Sequence, residues 1–248
     1  MTFAELHFHL LPGVDDGPAS MDESIELARM AAVEGTETIV ATPHVNSAYP
    51  TDVGTLPERV REVEDRLRRK RVSLKLHCGG ELAPEMVSRL SQAALETIAH
   101  GPPGHRWLLL EAPLGGFNDT FAEAAAELRG RGFGVVVAHP ERSLGSLESG
   151  WRLLERELRA GSGLQLNGWS LAGLNGERAR SNALRLLHAG PRVAIASDAH
   201  GPDRAPALRL ALSALGGLGE ADPLGFVSAV PRALLEQGMP ARSPALVA

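Results

Sequence analysis

The chain has 248 residues, 44% of them hydrophobic, enough to bury the core of one α/β domain or of two small ones; we expect a single domain over 1–248. Its formal net charge of −5 provides no basic field for a phosphate backbone, which argues against nucleic acid as the main partner. Because Cys78 is the only cysteine, neither an intrachain disulfide nor a thiolate metal cage can form.

Seven short apolar runs have the length of β-strands. Several of them, such as TIVAT and GVVVA, are continuously apolar, which is typical of parallel strands covered on both faces. The predicted strands are 3–8, 38–42, 72–78, 107–110, 134–138, 163–166 and 192–196. No charged leader precedes the first strand, and no run of about 18 apolar residues follows that would span a membrane. We therefore expect a soluble, cytoplasmic protein without membrane insertion.

Helical patterns fill the spaces between these runs. Ser20 with Glu23 forms a capping-box pattern before a helix that Gly35 can close, and Thr55 with Glu58 repeats the pattern before the next one. Further helices are predicted at 119–129, 147–159, 176–188, 205–215 and 222–237. The unbroken alternation favours a distorted (β/α)7 TIM-like barrel, with an open doubly wound sheet as the alternative. Residues 240–248 are expected to form a loose tail.

Polar side chains gather at the downstream ends of the predicted strands. In His7-Phe8-His9 and Asp198-Ala199-His200, the two-residue spacing puts both donor side chains on one face of an extended segment. A barrel brings the ends of its strands together at one mouth, so we expect a single multi-metal hydrolytic site. The candidate metal ligands are His7, His9, Asp16, His44, Glu81, Glu111, His139, Asp198 and His200.

The donor types restrict the choice of metal. Imidazole and carboxylate suit Mn²⁺, Fe²⁺, Zn²⁺ or Mg²⁺, and the lack of thiolate argues against a purely structural zinc site. Nine candidates are too many for one ion. A carboxylate such as Glu81 can bridge ions roughly 3.5–4 Å apart, the separation that phosphatases use to stabilise attacking and leaving oxygens.

Six ordered motifs resemble the polymerase-and-histidinol-phosphatase (PHP) superfamily of metal-dependent phosphoesterases, namely HFHLLPGVDDGP, ATPH, GGEL, LLLEAP, AHPER and SDAH. They cover residues from about 5 to 205. The DDGP sequence directly after HxH is similar to that of bacterial protein-tyrosine phosphatases that act with capsule and exopolysaccharide tyrosine kinases. The resemblance implies a PHP fold with three divalent ions, usually manganese, and as substrate the phosphotyrosine tail of a bacterial kinase.

The resemblance also implies how the ligands are shared. His7, His9, Glu81 and Asp198 would hold the first ion, Glu81, Glu111 and His139 the second, and Asp16, His44 and His200 the third. Arg142 and Arg204 would contact the phosphate, for which a guanidinium fork is suited. The mechanistic hypothesis is direct attack on a phosphomonoester by a metal-bound hydroxide, without a covalent phosphoenzyme.

Other reaction chemistries find little support in the sequence. A cysteine phosphatase needs Arg six positions after its Cys, but Pro84 stands six after Cys78. The stretch 101–106 is Gly-rich yet lacks the GK[ST] ending of a nucleotide P-loop, and GxSxG is absent. Two alternatives remain. The first is another PHP phosphoesterase that acts on histidinol phosphate or another small phosphomonoester, with nucleic-acid ends as a less favoured substrate. The second is a catalytically silent scaffold that holds metal ions.

Several other residues receive modest roles. Asp15 is interpreted as a turn residue or as a partner of a ligand, and Asn167 as a possible hydrogen-bond partner of a ligand at the mouth. The segment 45–54 is either a substrate-facing loop or a plain connector. Histidines outside the ligand set are expected to be structural or exposed, and these are His77, His100, His105 and His188.

Overall fold

The computed structural model describes residues 2–143 and 150–241, and its strands are all parallel to their neighbours. The strands are β1 (Phe3–Phe8), β2 (Thr36–Ala41), β3 (His44–Val45), β4 (Lys75–Cys78), β5 (Glu81–Leu82), β6 (Trp107–Glu111), β7 (Gly134–Ala138), β8 (Gly163–Asn167) and β9 (Val193–Ala196). They form one sheet in the order β1-β2-β4 and another in the order β3-β5-β6-β7-β8-β9.

Two of the seven predicted strand positions consist of a longer and a shorter strand. Pro43, which has no N–H for the ladder, separates β2 from β3, and Gly79-Gly80 separates β4 from β5. A Cβ on Gly79 would stand 2.7 Å from both His100 Nε2 and Val40 Cγ1, so only glycine permits this close approach. The short strands β3 and β5 were not predicted. His44 and Glu81 therefore open a strand rather than follow one.

The two sheets are connected around the barrel. Phe8 and Ala199 form a parallel bridge between the end of β1 and the segment after β9. His9 N donates to Ala199 O at 2.9 Å, and Asp198 N donates to His7 O at 3.0 Å. These bonds join the end of β1 to the segment that follows β9.

The helices lie mostly where they were predicted. They are α1 (Met21–Glu34), α2 (Leu56–Arg69), α3 (Gln92–Ile98), α4 (Asp119–Gly130), α5 (Trp151–Arg159), α6 (Gly168–Leu171), α7 (Glu177–Leu186), α8 (Leu208–Gly217) and α9 (Val230–Glu236). The short helices α3 and α6 were not predicted, and a π-helical turn (Gly225–Ala229) precedes α9. The first part of the predicted helix 147–159 and most of the predicted tail 240–248 lie outside the described residues.

The helix ends test the capping predictions. Ser20 accepts from Glu23 N, and Gly35 adopts a left-handed conformation with φ 106°, so both predicted ends of α1 are confirmed. The capping box at Thr55 is wrong, because its side chain makes no cap hydrogen bond to α2. Asp52 instead caps a preceding 3-10 turn, and the Thr55 hydroxyl donates to Asp52 O at 2.8 Å.

The alternation of side chains along the strands sets up the site. One apolar cluster packs the strands against the helices, and a second, containing Trp107, Leu109 and Leu234, fills the barrel interior next to α9. Because side chains alternate with period two, Glu111 continues the face of Trp107 and Leu109 toward the carboxyl ends of the strands. The interior therefore changes from apolar to polar at this end.

Among the described residues, no helix combines the length and the apolar character needed to cross a bilayer.

Candidate metal centre

All nine predicted ligands lie at one mouth, at the carboxyl ends of the strands. Seven are buried or nearly so, Glu111 is partly buried, and the Asp16 side chain is 40% exposed. The donor atoms fall into groups within 4.8 Å of one another: His9, Asp16, His44 and His200; His7, His9 and Asp198; His7, Glu81 and His139; and His44, Glu81 and Glu111. The fold thus brings together every ligand that the sequence suggested.

The deepest donor atoms lie on His7, His9, Glu81 and Asp198. His7 Nε2 and His9 Nε2 are 3.1 Å apart, and both face Glu81 Oε2 at 3.3 and 3.4 Å. Asp198 Oδ1 lies 3.4 Å from the first nitrogen and 3.5 Å from the second. Two imidazole nitrogens and two carboxylate oxygens at such short separations form a donor set of the kind that holds zinc and similar divalent ions.

Hydrogen-bond partners fix which nitrogen of each central histidine faces the other donor atoms. The Gln165 Oε1 atom accepts from His139 N at 3.2 Å, so it is also the acceptor for His7 Nδ1 at 2.9 Å. His9 Nδ1 lies 2.6 Å from Asp15 Oδ2. Both Nδ1 atoms therefore carry hydrogen, so two neutral rings would direct their Nε2 lone pairs at each other. Only a cation, either a proton or a metal ion, makes that arrangement favourable.

The remaining ligands extend the cluster in two directions. His139 Nε2 lies 2.7 Å from Glu81 Oε1, while His44 Nδ1 lies 2.9 Å from Glu81 Oε2. Asp16 Oδ1 lies 3.4 Å from His44 Nε2 and 3.3 Å from His200 Nε2. Glu81 thus stands between the deep group and its neighbours, as a bridging carboxylate does. The observed groups differ from the predicted sharing of ligands in three respects. His9 also lies in the group of Asp16, His44 lies with Glu81 and Glu111, and His139 lies with His7 and Glu81 rather than with Glu111.

The DDGP loop holds one side of the centre. Asp15 Oδ2 accepts from His44 N at 2.8 Å besides contacting His9, and Asp15 Oδ1 accepts from Gly17 N at 3.0 Å. A Cβ on Gly17 would lie 3.0 Å from His9 O, so a small residue lets the loop close over this histidine. Asp15 is therefore the ligand partner that the sequence suggested. Its neighbour Asp16 is left free to face His44 and His200.

Backbone strain marks two of the candidate ligands. His139 has φ 34° and Asp198 has φ 52°, in the left-handed region that non-glycine residues avoid at a cost of roughly 1–2 kcal/mol each. His139 directly follows β7 and Asp198 lies two residues after β9, and each turns its side chain into the mouth. Such strain is concentrated where function requires a particular side-chain direction.

Several buried polar atoms in the cluster make no well-aligned hydrogen bond among the described residues, although His44 Nδ1 and Glu81 Oε2 lie only 2.9 Å apart. They are His44 Nδ1, Glu81 Oε2, His139 Nδ1 and His200 Nε2. A buried polar group without a partner is costly, and metal coordination would remove that cost for those atoms that face the centre. The donor set, the spacing of the atoms and the orphaned groups therefore all fit divalent metal ions.

The charges in the cluster are strongly coupled. Burial would lower the pKa of His9, but hydrogen bonds to Asp15 and Glu81 outweigh it and raise that pKa to about 10. Burial opposes ionisation of Glu81, yet the charge of His7 and hydrogen bonds from His139 and His44 hold its pKa well below the usual range. Burial, followed by the charge of Glu81, raises the pKa of Glu111 to about 7. Protons thus occupy the positions that a metal would take, and metal binding would release them.

Both predicted arginines lie beside the centre and share one partner. Arg142 Nη1 donates to Asp198 Oδ2 at 2.7 Å, and Arg204 Nη2 donates to the same oxygen at 2.8 Å. Asn167 Nδ2 also donates to this oxygen at 3.0 Å, in the role the sequence suggested for it. The two guanidinium groups are 25% and 38% exposed, so they border both the buried carboxylate and the open mouth.

Three supporting residues were missed by sequence reasoning. Gln165 is fully buried beneath His7, and Glu5 is fully buried where it accepts from Ser197 N at 2.8 Å, next to Asp198. Glu141 is also buried and accepts from Asn167 N at 2.9 Å. A polar residue inside an apolar strand is the only signal that could have indicated Gln165 and Glu5. That signal does not reveal which ligand such a residue contacts.

The remaining sequence predictions concern the surroundings of the centre. The Tyr49 ring stacks on His44 with centroids 5.6 Å apart, so segment 45–54 reaches the mouth. His100 is buried against Trp107, and burial lowers its pKa to about 3. His188 pairs with Glu220 at the surface. Cys78 is partly buried, and burial raises the pKa of its thiol to about 11, which does not suit a nucleophile.

Comparison with known families gives a consistent result. The family model described as "Capsular polysaccharide synthesis, CpsB/CapC" matches residues 3–219. The chain is 30% identical over 203 residues to the tyrosine-protein phosphatase YwqE of Bacillus subtilis (strain 168), covering 79% of this chain and 76% of that protein. It is also 30% identical over 199 residues to the putative tyrosine-protein phosphatase CapC of Staphylococcus aureus, with 79% and 76% covered.

Solved structures show the same relationship. Crystal structures of YwqE from Bacillus subtilis and CpsB from Streptococcus pneumoniae, described as metal-dependent tyrosine phosphatases, match with a TM-score of 0.79 and 25% identity over 97% of this chain and 98% of the other. Histidinol phosphate phosphatase from Lactococcus lactis matches with a TM-score of 0.53 and 14% identity over 96% and 98% of the two chains, which shows a shared fold.

Proposed function

The chain belongs to the CpsB/CapC family of capsular polysaccharide synthesis proteins, and from this premise we propose that it is a metal-dependent protein-tyrosine phosphatase. The natural substrate we propose is the phosphotyrosine tail of a bacterial tyrosine kinase of capsule or exopolysaccharide synthesis. One observation carries the proposal. The Nε2 atoms of two buried histidines lie 3.1 Å from each other and 3.3–3.5 Å from two buried carboxylates, one of which accepts from two arginines.

Three divalent ions, of which we propose manganese as the most suitable, would be held by the nine residues at the mouth. His7, His9, Glu81 and Asp198 would hold the deepest ion, with Gln165 and Asp15 orienting the two histidines. When bound, such ions lower the pKa of water and offset the negative charge of a reacting phosphoryl group.

The arginines supply what a phosphate needs beyond metal. A guanidinium fork donates two parallel hydrogen bonds to phosphate oxygens and stays charged at any physiological pH. Arg142 and Arg204 both border the mouth and reach the same Asp198 oxygen, so a phosphoryl group bound between them would also lie against the centre. They would orient the phosphate and stabilise charge that develops on its oxygens.

Parallel turnover measurements test this function. Protein reconstituted with Mn²⁺ is expected to hydrolyse p-nitrophenyl phosphate and phosphotyrosine peptides, and a chelator should abolish both activities. Asp198→Ala and His139→Ala are expected to lose most turnover, because each substitution removes a candidate metal ligand. Metal content is measured on the same samples.

Two comparisons decide between the proposal and its competitors. A strong preference for histidinol phosphate over phosphotyrosine peptide would identify a small-molecule phosphatase, and a preference for a single-stranded oligonucleotide would identify a nuclease. Unchanged turnover in both alanine variants would contradict the assignment of the site.

A further inference from the structure

A groove opens beside the metal centre, and neither arginine lines it. Its volume is about 330 Å³, near the lower end of the roughly 300–1,000 Å³ typical of ligand sites. Its walls include Asn46, Ala83, Glu85, Glu111, Pro113 and Asn118. Neither the arginines nor the deep group accounts for this space.

The groove begins at the centre itself, because its walls follow the strands that carry candidate ligands. Asn46 follows β3, which starts at His44, and Ala83 follows β5, which starts at Glu81. Glu111 ends β6 and belongs both to the ligand groups and to the groove lining. A molecule whose reacting group lies at the centre therefore has a continuous path into the groove.

The charge of the groove is one-sided. Glu85 and Glu111 are the two charged residues among the described residues that line it, and no lysine or arginine is found there. Arg142 and Arg204 instead contact Asp198, after β7 and β9. The mouth therefore presents cations where a phosphate would bind and carboxylates where the rest of the substrate would continue.

We propose that this groove holds the residues that flank the phosphotyrosine of the substrate and selects against acidic flanking residues. This inference rests on the proposed phosphatase function. Backbone and small polar groups of the peptide can hydrogen-bond to the amide side chains that line the groove. A lysine in the flank gains attraction to Glu85, whereas an aspartate there is repelled. Glu85 is thus a specificity-determining residue, and the preferred substrate is a phosphotyrosine between neutral or basic neighbours.

Three phosphotyrosine peptides test the proposal. They share one sequence except that the two residues on each side of the phosphotyrosine are all glycine, all lysine or all aspartate. The full-length Mn²⁺-loaded protein is expected to give the order lysine, glycine, aspartate in kcat/KM, with about 2- to 5-fold between steps at low salt. The differences should shrink in 0.5 M salt, where the screening length falls to about 4 Å.

Substitution of Glu85 separates groove effects from catalysis. Glu85→Lys is expected to invert the order of the lysine and aspartate peptides, and Glu85→Gln to narrow their difference. Turnover of p-nitrophenyl phosphate, which has no flanking residues, should change less than twofold in both variants. Glu62→Lys, on the exposed surface of α2, makes the same charge change away from the mouth and should leave the order intact.

Different outcomes overturn different statements. Equal kcat/KM for the three peptides, or an order unaffected by Glu85→Lys, would overturn the groove assignment alone. An order that Glu62→Lys alters as strongly as Glu85→Lys would also overturn it, because net charge would then be the cause. Failure to hydrolyse any phosphotyrosine peptide would overturn the phosphatase function and the groove assignment together.

Discussion

Gln165 offers the most direct test of how the interior of the barrel prepares the metal centre. Its Oε1 atom accepts from His7 Nδ1 at 2.9 Å and from His139 N at 3.2 Å, and its side chain is fully buried. Gln165→Met keeps the length of the side chain but removes this acceptor. His7 would then keep a buried Nδ1–H without a partner, or move the hydrogen to Nε2 and lose its lone pair for the metal.

The expected magnitude follows from either consequence. A buried donor left without a partner costs about 1–3 kcal/mol. Removing the outer partner of a metal-binding histidine typically weakens metal binding about 10- to 100-fold. At about 1.4 kcal/mol per factor of ten, the two estimates agree, so we expect Gln165→Met to bind its tightest Mn²⁺ about 10- to 100-fold more weakly.

Competition with a chromophoric chelator at fixed pH measures this affinity directly, and the increase in melting temperature on adding Mn²⁺ provides a second readout. Gln237→Met, at the exposed end of α9, is the matched control and should bind metal as the unsubstituted protein does. An affinity of Gln165→Met within twofold of the unsubstituted protein would refute the role of Gln165 in orienting His7.

Three further predictions address other parts of the molecule. Arg142→Lys keeps the charge but loses the guanidinium fork, so KM for a phosphotyrosine peptide should rise about tenfold, and an unchanged KM in steady-state kinetics would contradict phosphate contact. Cys78→Ser should keep turnover within about twofold, and an inactive variant that still folds and binds metal would reopen a thiol mechanism. Burial lowers the pKa of His100 to about 3 in the folded protein, so below pH 6.5 the unfolded chain binds more protons than the folded one. The free energy of unfolding therefore decreases as the pH is lowered. Chemical denaturation in chelator should show this loss, about 2 kcal/mol at pH 5 relative to pH 7.5, as a difference between unsubstituted protein and His100→Phe.

The candidate metal ligands were accessible to sequence reasoning because most of them lie next to a strand whose apolar run is distinct. His7 and His9 lie at the end of β1, and Asp198 follows β9. Parallel strands in a barrel end on one face, so position along the chain was enough to predict that these residues meet. The same reasoning located Asp15 beside the ligands, since a DDGP turn after HxH has little room to go elsewhere.

The breaks in the strands were less accessible. The sequence did not indicate that His44 and Glu81 start the short strands β3 and β5, because two-residue pairings leave no periodic pattern. The sequence contains a capping-box pattern at Thr55, but the Thr55 side chain does not cap α2, because Asp52 stabilises a 3-10 turn just before that helix. Local patterns state what a segment can do, and neighbouring segments decide what it does.

The sequence by itself determined the alternation of strands and helices, and it indicated the candidate metal ligands and their common location, because these depend on hydrophobic periodicity and on the order of elements along the chain. Only the tertiary structure decided which nitrogen of His7 and His9 faces the centre, that Gln165 and Glu5 support it from within the barrel, and that the arginines contact Asp198 whereas acidic residues line the neighbouring groove. Those features are contacts between residues far apart in the chain. Their distances are set by how the strands pack, which no local pattern of residues specifies.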